Sequence, residues 1–285
     1  MVTAEQRRTA VREAITTAAI SERQACRYTG FGRASQRYRT RRPAHTLLGE
    51  RLATLAGMRP RWGYRRLTVL LRREGHRVNR KLVYRLYREL GLAVRRRRRK
   101  RVAVVRAPLV PPSAPNVRWS MDFVTDALAD GRRFRTLTIV DDFTRECPAL
   151  EVDHALSGVR VAHVLDRLAA TRGLPHGLVC DNGPEFAGQA LDQWAHRRGV
   201  ALLFIEPGRP VQNAYAESFN GRLRDECLNE SWFVSLADAR ATIEAWRLDY
   251  NAVRPHSGLA ERTPNEFAAL FPRGAITNSQ PAGLT

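Results

Sequence analysis

Trp119-Ser120-Met121-Asp122-Phe123-Val124 alternates between two faces, with Trp119, Met121 and Phe123 on one and Ser120, Asp122 and Val124 on the other. That period of two is the signature of a β-strand, and it sets one carboxylate mid-strand among large apolar side chains. An unpaired charge is costly to bury, so Asp122 needs a charge partner or a solvent-filled cleft. Downstream, Arg135–Val140 and Cys147–Val152 read as strands joined through a tight Asp141-Asp142 turn. Connections this short predict three consecutive antiparallel strands. A helix is expected over Val159–Thr171, a short buried strand at Leu178-Val179-Cys180, and a further strand at Ala201–Ile205. Pro184 stands where another helix is expected to begin, with the Glu185 carboxylate at its positive end. A loop with Pro207 and Pro210 leads into a long helix over about Gln212–Leu228. From Val117 onward the pattern is therefore one α/β domain.

Two more carboxylates stand out in that domain. Asp181 follows the end of a strand, where α/β sheets present ligand sites. On the long helix, Asn213, Glu217, Asn220 and Arg224 recur every three or four residues and form one polar stripe, beside an apolar stripe of Ala216, Phe219, Leu223 and Cys227. Each acid alone is equally compatible with a surface or capping role. Converging from two strands and a helix, Asp122, Asp181 and Glu217 describe an oxygen site for Mg²⁺ or Mn²⁺. Two such ions serve phosphoryl transfer by activating the attacking oxygen and stabilising the leaving one. Asp141 and Asp142 are better read as a turn pair, and Trp246, Tyr250 and Phe267 as core aromatics.

The net charge of +20 is unevenly spread: residues 1–115 hold 30 Lys/Arg against 6 Asp/Glu, and residues 116–285 hold 18 against 22. One end suits polyanions, and the other is nearly neutral and can host acidic chemistry. Residues 1–93 read as short helices broken by Gly and Pro, with helix-turn-helix units near 21–39 and 62–91. In the first, Ser21 and Gln24 form a capping box, the helix ends near Gly30, and a second helix covers Ala34–Tyr38. In the second, Tyr64–Arg73 is followed by the turn Glu74-Gly75-His76, and Asn79 caps a helix that runs to Leu90 and stops at Gly91. That helix is expected to bury Leu82, Val83, Leu86 and Leu90 and to turn Arg80, Lys81, Arg85 and Arg88 outward. With Arg65 and Arg66 they are the candidate DNA contacts. Residues 94–116, from the Arg95–Arg101 run to Pro115, read as a basic proline-rich linker, residues 117–273 as the catalytic core with its C-terminal helices, and residues 274–285 as a tail.

The four cysteines are scattered without metal-binding or disulfide spacing and are expected to be buried thiols. No apolar run approaches the roughly 18 residues of a membrane helix, and the N-terminus lacks a secretory signal pattern. A cytoplasmic protein without membrane contact is expected.

The segments Trp119-Ser120-Met121-Asp122-Phe123, Cys180-Asp181-Asn182-Gly183-Pro184-Glu185-Phe186 and Asn213-Ala214-Tyr215-Ala216-Glu217-Ser218-Phe219-Asn220 resemble the three motifs of the DDE integrase core. The 35 residues between Asp181 and Glu217 match the spacing of the D,D(35)E group, and Arg224 matches its accompanying basic residue. Arg61-Trp62-Gly63-Tyr64-Arg65-Arg66 and the stretch Tyr250-Asn251 to Arg254-Pro255-His256-Ser257 add to the likeness. Together they resemble the second-frame product of the IS3-family insertion-sequence transposases, from about Glu22 to Phe267. The resemblance implies an RNase H-like fold, a five-stranded mixed sheet flanked by helices, preceded by small all-α helix-turn-helix modules. It implies two Mg²⁺ ions (or Mn²⁺) bridged by Asp122 and completed by Asp181 and Glu217, with Arg224 and Asn182 on DNA phosphates. The implied activity is a polynucleotidyl transfer: water frees a 3′-OH at the end of the element, and that 3′-OH then attacks a second phosphodiester. Double-stranded DNA, a homo-oligomer on DNA, a bacterial nucleoid setting and a fused or bound first-frame protein are the implied context. Retroviral zinc-module residues are absent, and no sustained heptad pattern precedes Arg33. A nuclease of the same fold and a catalytically silent DNA-binding regulator are the competing readings.

Overall fold

In a computed structural model, which describes residues 3–39, 45–94, 112–206 and 210–271, the acid-bearing strand β1 (Arg118–Ala127) runs through the middle of a five-stranded sheet. It pairs antiparallel with β2 (Arg133–Asp141), which pairs antiparallel with β3 (Ala149–Asp153). On its other side β1 runs parallel to β4 (Gly177–Cys180), and β4 parallel to β5 (Ala201–Phe204). The order β3-β2-β1-β4-β5 is the mixed sheet expected from the sequence.

The alternation in β1 divides two cores. Trp119 and Met121 join Leu137 and Ile139 beneath helices α7 (Gly158–Arg172) and α8 (Gln189–Arg198), which contribute Val161, Leu165, Leu191 and Trp194. Val124 on the opposite face packs with Phe134 and Val140 against α9 (Ala214–Glu226) and α10 (Leu236–Ala252), through Phe219, Leu223, Ile243 and Tyr250. Tyr250 and Trp246 lie in or against this second core, as expected. The turn acids are structural. Asp141 accepts the backbone N–H groups of Phe143, Thr144 and Asn116, and Asp142 accepts Ser120 Oγ at 2.6 Å and Arg118 Nε at 2.6 Å.

Two compact units divide between Glu50 and Arg51. In the first, α1 (Ala4–Ala18), α2 (Glu22–Tyr28) and α3 (Arg33–Arg37) close on Val11, Ala25, Cys26 and Phe31. The Ser21–Gln24 capping box is present. The boundary falls within α4 (Thr46–Met58), and the second unit continues with α5 (Tyr64–Arg73) and α6 (Arg80–Glu89), with Asn79 capping α6 and Gly91 at φ 68° where the chain turns away. α6 buries Val83, Leu86 and Tyr87, whereas Leu90 is exposed. The correction follows from geometry: Leu90 lies beyond the last turn, and Tyr87 fills the inward place beside Val83. All four cysteines are buried, as expected. The Arg95–Arg101 run, Pro108, Pro111, Pro207 and the tail 274–285 lie outside the described residues.

Candidate active site

Asp122 occupies the face of β1 that looks toward α9. Its Oδ1 accepts the Phe123 N–H at 2.8 Å and its Oδ2 accepts Asn220 Nδ2 at 2.7 Å. Burial pushes the Asp122 carboxyl above its ordinary value, the charges of Asp181 and Glu217 push it further, and the two hydrogen bonds act against them. Asp122 thus feels both other acids of the expected trio.

Asp181 stands one residue beyond β4, and its Oδ1 accepts the Gly183 N–H at 3.0 Å. A Cβ at position 183 would sit 2.9 Å from that same oxygen, so glycine is what lets the loop fold over the carboxylate. No helix begins at Pro184, which corrects the expectation. Residues 184–186 form a turn, and α8 starts only at Gln189. The reason is Phe186, fully buried and stacked on Phe123 with ring centres 4.8 Å apart, which pulls the segment into the core before a helix can wind. Glu185 pairs with Arg135 instead of lying on a helix end.

The polar stripe of α9 follows β1. Asn213 Nδ2 donates to the Met121 carbonyl at 3.0 Å, Asn220 to Asp122, and Arg224 Nη1 to the Thr125 carbonyl at 3.4 Å. The neighbouring stripe of Ala216, Phe219, Leu223 and Cys227 is buried and fixes the roll of the helix. Glu217 lies between Asn213 and Asn220 on the strand-facing stripe, with an exposed side chain. Among the described residues none of the three acids makes an ion pair, and no group of three or more His, Cys, Asp or Glu side chains is drawn tightly enough to hold a metal ion as it stands.

The other candidate residues divide. Asn182 is exposed and donates to the Ile205 carbonyl at 2.9 Å. Lys81 is exposed on α6, and Arg85 approaches Glu89 at 3.6 Å. Arg65 and Arg88, both exposed, line a cleft shared with α9. Arg66 and Arg80 are engaged by acids: Arg66 turns inward to pair with Glu226 at 3.0 Å, and Arg80, still partly exposed, pairs with Glu261. Glu226 is the residue that sequence reasoning missed. Its carboxylate, nearly fully buried, accepts Arg254 Nε at 2.7 Å, Arg66 Nη1, and Trp62 Nε1 at 3.3 Å. The two arginines, Arg254 foremost, hold it below the usual carboxylate range against its burial. The signal was present as two unexplained motifs, Arg61–Arg66 and Arg254–His256, which this acid joins.

The chain matches the Integrase core domain family over residues 112–210 and again over 198–264, and an HTH-like domain over 52–100. It is 55% identical over 263 residues to a 31.7 kDa protein of insertion element IS407 from Burkholderia multivorans (strain ATCC 17616 / 249), covering 91% of this chain and 94% of that one. A 39.2 kDa protein of insertion element IS476 from Xanthomonas euvesicatoria is 48% identical over 279 residues, 97% and 81% of the two chains. An Escherichia coli (strain K12) protein whose name proposes it as the transposase for insertion sequence element IS150 is 29% identical over 73% of this chain and 78% of that one. Among solved structures, a chain of the simian T-cell lymphotropic virus intasome, in complex with PP2A regulatory subunit B56 gamma, matches with a TM-score of 0.53 at 16% identity, over 82% of this chain and 80% of that one; the likeness is one of fold. No helix among the described residues is long and apolar enough to cross a membrane. With its RNase H-like sheet, its integrase-core matches and these relatives, the chain belongs to the IS3-family insertion-element transposases, DNA-processing polynucleotidyl transferases.

Proposed function

We propose that Asp122, Asp181 and Glu217 are the catalytic carboxylates of this transposase and that they hold two Mg²⁺ ions, for which Mn²⁺ substitutes. The observation that carries the reading is the charge environment of Asp122: the like charges acting on it are those of Asp181 and Glu217, and no cation among the described residues pairs with any of the three. The donor set is all carboxylate oxygen, the chemistry hard divalent cations take, and bound cations relieve the repulsion the fold leaves standing. When bound, the ions supply Lewis-acid activation of the attacking oxygen and stabilisation of the leaving one.

The chain's own groups do the rest. The Phe123 N–H and the Asn220 amide hold one oxygen of Asp122 each, and Gly183 N–H steadies Asp181. Glu217, exposed and without a hydrogen-bond partner among the described residues, has the rotamer freedom to gather with the other two. Water attacks a phosphodiester at the element end and a 3′-hydroxyl leaves. That hydroxyl then attacks a second phosphodiester and displaces its 3′-oxygen. Arg224 and Asn182 bind backbone phosphates beside the acids, while Lys81 and Arg85 on α6 bind the duplex further out. Double-stranded element ends and target are the substrates, in a homo-oligomer on DNA, with a first-frame protein as an added partner.

The test is substitution at constant shape. Asp122→Asn, Asp181→Asn and Glu217→Gln are each expected to lower Mg²⁺-dependent cleavage and strand transfer on the order of 10³-fold or more, with duplex binding largely kept. Near-normal activity in any one of them overturns the assignment.

A further inference from the structure

The two flanks of α9 face different surroundings. One carries Glu217 and looks toward β1. The other carries Tyr215, Ser218 and Arg222 and forms a wall of a cleft of about 950 Å³, closed on its far side by α5, α6 and the segment Arg254–Leu259. Among the described residues, seven arginines line this cleft and a single acid, Glu261, lies among them. Arg80 is paired with Glu261, and Arg66 and Arg254 with Glu226. Arg65, Arg88, Arg145 and Arg222 make no ion pair with a carboxylate among the described residues, although the charge of Arg145 reaches Asp142 and that of Glu226 reaches Arg222.

The unpaired cations are held there by structure. Arg222 Nη1 donates to the carbonyl and the hydroxyl of Ser218, both at 2.7 Å. Arg145 adopts φ 64°, a backbone region unfavourable to residues that carry a Cβ, and its guanidinium lies 3.8 Å from the centre of the Tyr215 ring. Arg145 Nη1 is buried and makes no hydrogen bond. Burial and the nearby Arg254 and Arg145 charges depress the Arg222 guanidinium against the opposing effect of Tyr250 and Glu226, and burial with Arg254, Arg222, Arg66 and Arg145 pushes His256 down to about 2. Repulsion of this kind is expensive to maintain and is relieved by an anion. Tyrosines alternate with the charges: Tyr64 and Tyr84 are in contact at 4.8 Å, with Tyr84 half exposed, and Tyr215 lies opposite.

The geometry points to this cleft as a binding site for a single DNA strand, its phosphates held by Arg65, Arg88, Arg145 and Arg222 and its bases stacked on Tyr64, Tyr84 and Tyr215. Spread cations interleaved with aromatic faces are the means by which proteins hold unpaired strands. The volume is at the upper end for ligand pockets, more than one small anion requires, and the charges come from four separate segments, as a chain of phosphates needs. The inference rests on the reading of the chain as a DNA-processing enzyme and adds a strand site on the flank of α9 turned away from Glu217.

The experiment uses the full chain and a short fluorescein-labelled oligothymidylate. The double variant Arg65→Gln/Arg88→Gln alters only exposed side chains and keeps the fold. It is expected to weaken binding at least about tenfold and to lower the slope of log affinity against log salt by about 1.4, at roughly 0.7 per lost phosphate contact. Arg222→Gln is expected to act in the same direction. An oligonucleotide carrying 5-iodouracil is expected to photo-crosslink to peptides holding Tyr64, Tyr84 or Tyr215. Unchanged affinity and slope in the double variant, or crosslinks confined to other surfaces, overturn the site. Displacement of the oligonucleotide by equal amounts of duplex, or by tripolyphosphate at equal phosphate concentration, overturns its identity as a strand site. Asp122→Asn is expected to bind the oligonucleotide normally, so loss of the strand site and loss of the catalytic acids are separately visible.

Discussion

Two sets of acids in this protein are built to opposite rules. Asp142, Glu146 and Glu226 are buried and each meets an arginine: Arg118 at 2.6 Å, Arg172 at 2.7 Å and Arg254 at 2.7 Å. Asp122, on the same strand as the Arg118 that answers Asp142, meets an amide and a backbone N–H, and the charges acting on it, those of Asp181 and Glu217, are negative. The fold supplies a counter-charge where an acid has to hold elements together. It withholds one where the acid faces the sheet edge with Asp181 and Glu217. The contrast singles out Asp122 as a largely buried acid that the fold leaves without a counter-charge.

The sharpest way to break that contrast is to neutralise an acid from the answered set. Glu226→Gln leaves Arg254, one of the largest fully buried side chains, without its partner. The expected cost is about 3–5 kcal/mol, read by chemical denaturation. Because the folded Glu226 carboxyl lies below its ordinary 4.5, its stabilising effect is present above that pH and is lost as pH falls through the folded value. A variant as stable as the parent at neutral pH would show that the pairing holds nothing.

Asn220→Ala removes the amide that aims Asp122. Strand transfer is expected to fall roughly 10- to 100-fold, the usual effect of losing a group that orients a metal-binding side chain, with a higher Mg²⁺ requirement. Full activity in Asn220→Ala would show that the amide does not aim Asp122, and a loss traced to unfolding by circular dichroism would assign the residue to packing alone.

The smallest effect belongs to stability at Asp122 itself. Its folded carboxyl is raised above the ordinary 3.8, so stability is greatest below that pH and is lost as pH rises through the folded value. Without divalent metal at neutral pH, Asp122→Asn is therefore expected to melt at the parent's temperature or slightly above it, the difference closing in acid. Added Mg²⁺ is expected to raise the melting temperature of the parent and not of the variant. A clear loss of stability in Asp122→Asn would place this acid with the answered set.

Much of this was legible along the chain because it repeats at short range. The alternation around Asp122 gave β1 its two faces, and the three- and four-residue recurrence from Asn213 to Arg224 marked the stripe that lies on that strand. Cap chemistry located α2 and α6 at Ser21 and Asn79, and the spacing of Leu67, Leu70 and Leu71 located α5. Contacts across long stretches of chain were invisible. Glu226 looks like one more acid on a helix until Arg66 and Trp62, some 160 residues earlier, are folded against it. Arg80 has the outward phase of a DNA contact in a helix taken alone, yet Glu261 claims it. α1 and α4 were not singled out, since their apolar residues mean little before their neighbours are known. The break after Pro184 depended on Phe186 finding Phe123.

The pairings of Arg59 with Asp249, Arg61 with Glu230, Arg66 with Glu226 and Arg73 with Glu266 moor α5 and the residues just before it to the body that contains the sheet. The covalent path from Val94 to Pro112 therefore bridges two points already moored, and its length does not set the distance between the α6 surface and the acids. The separation between the α6 surface and the three acids is a property of those ion pairs.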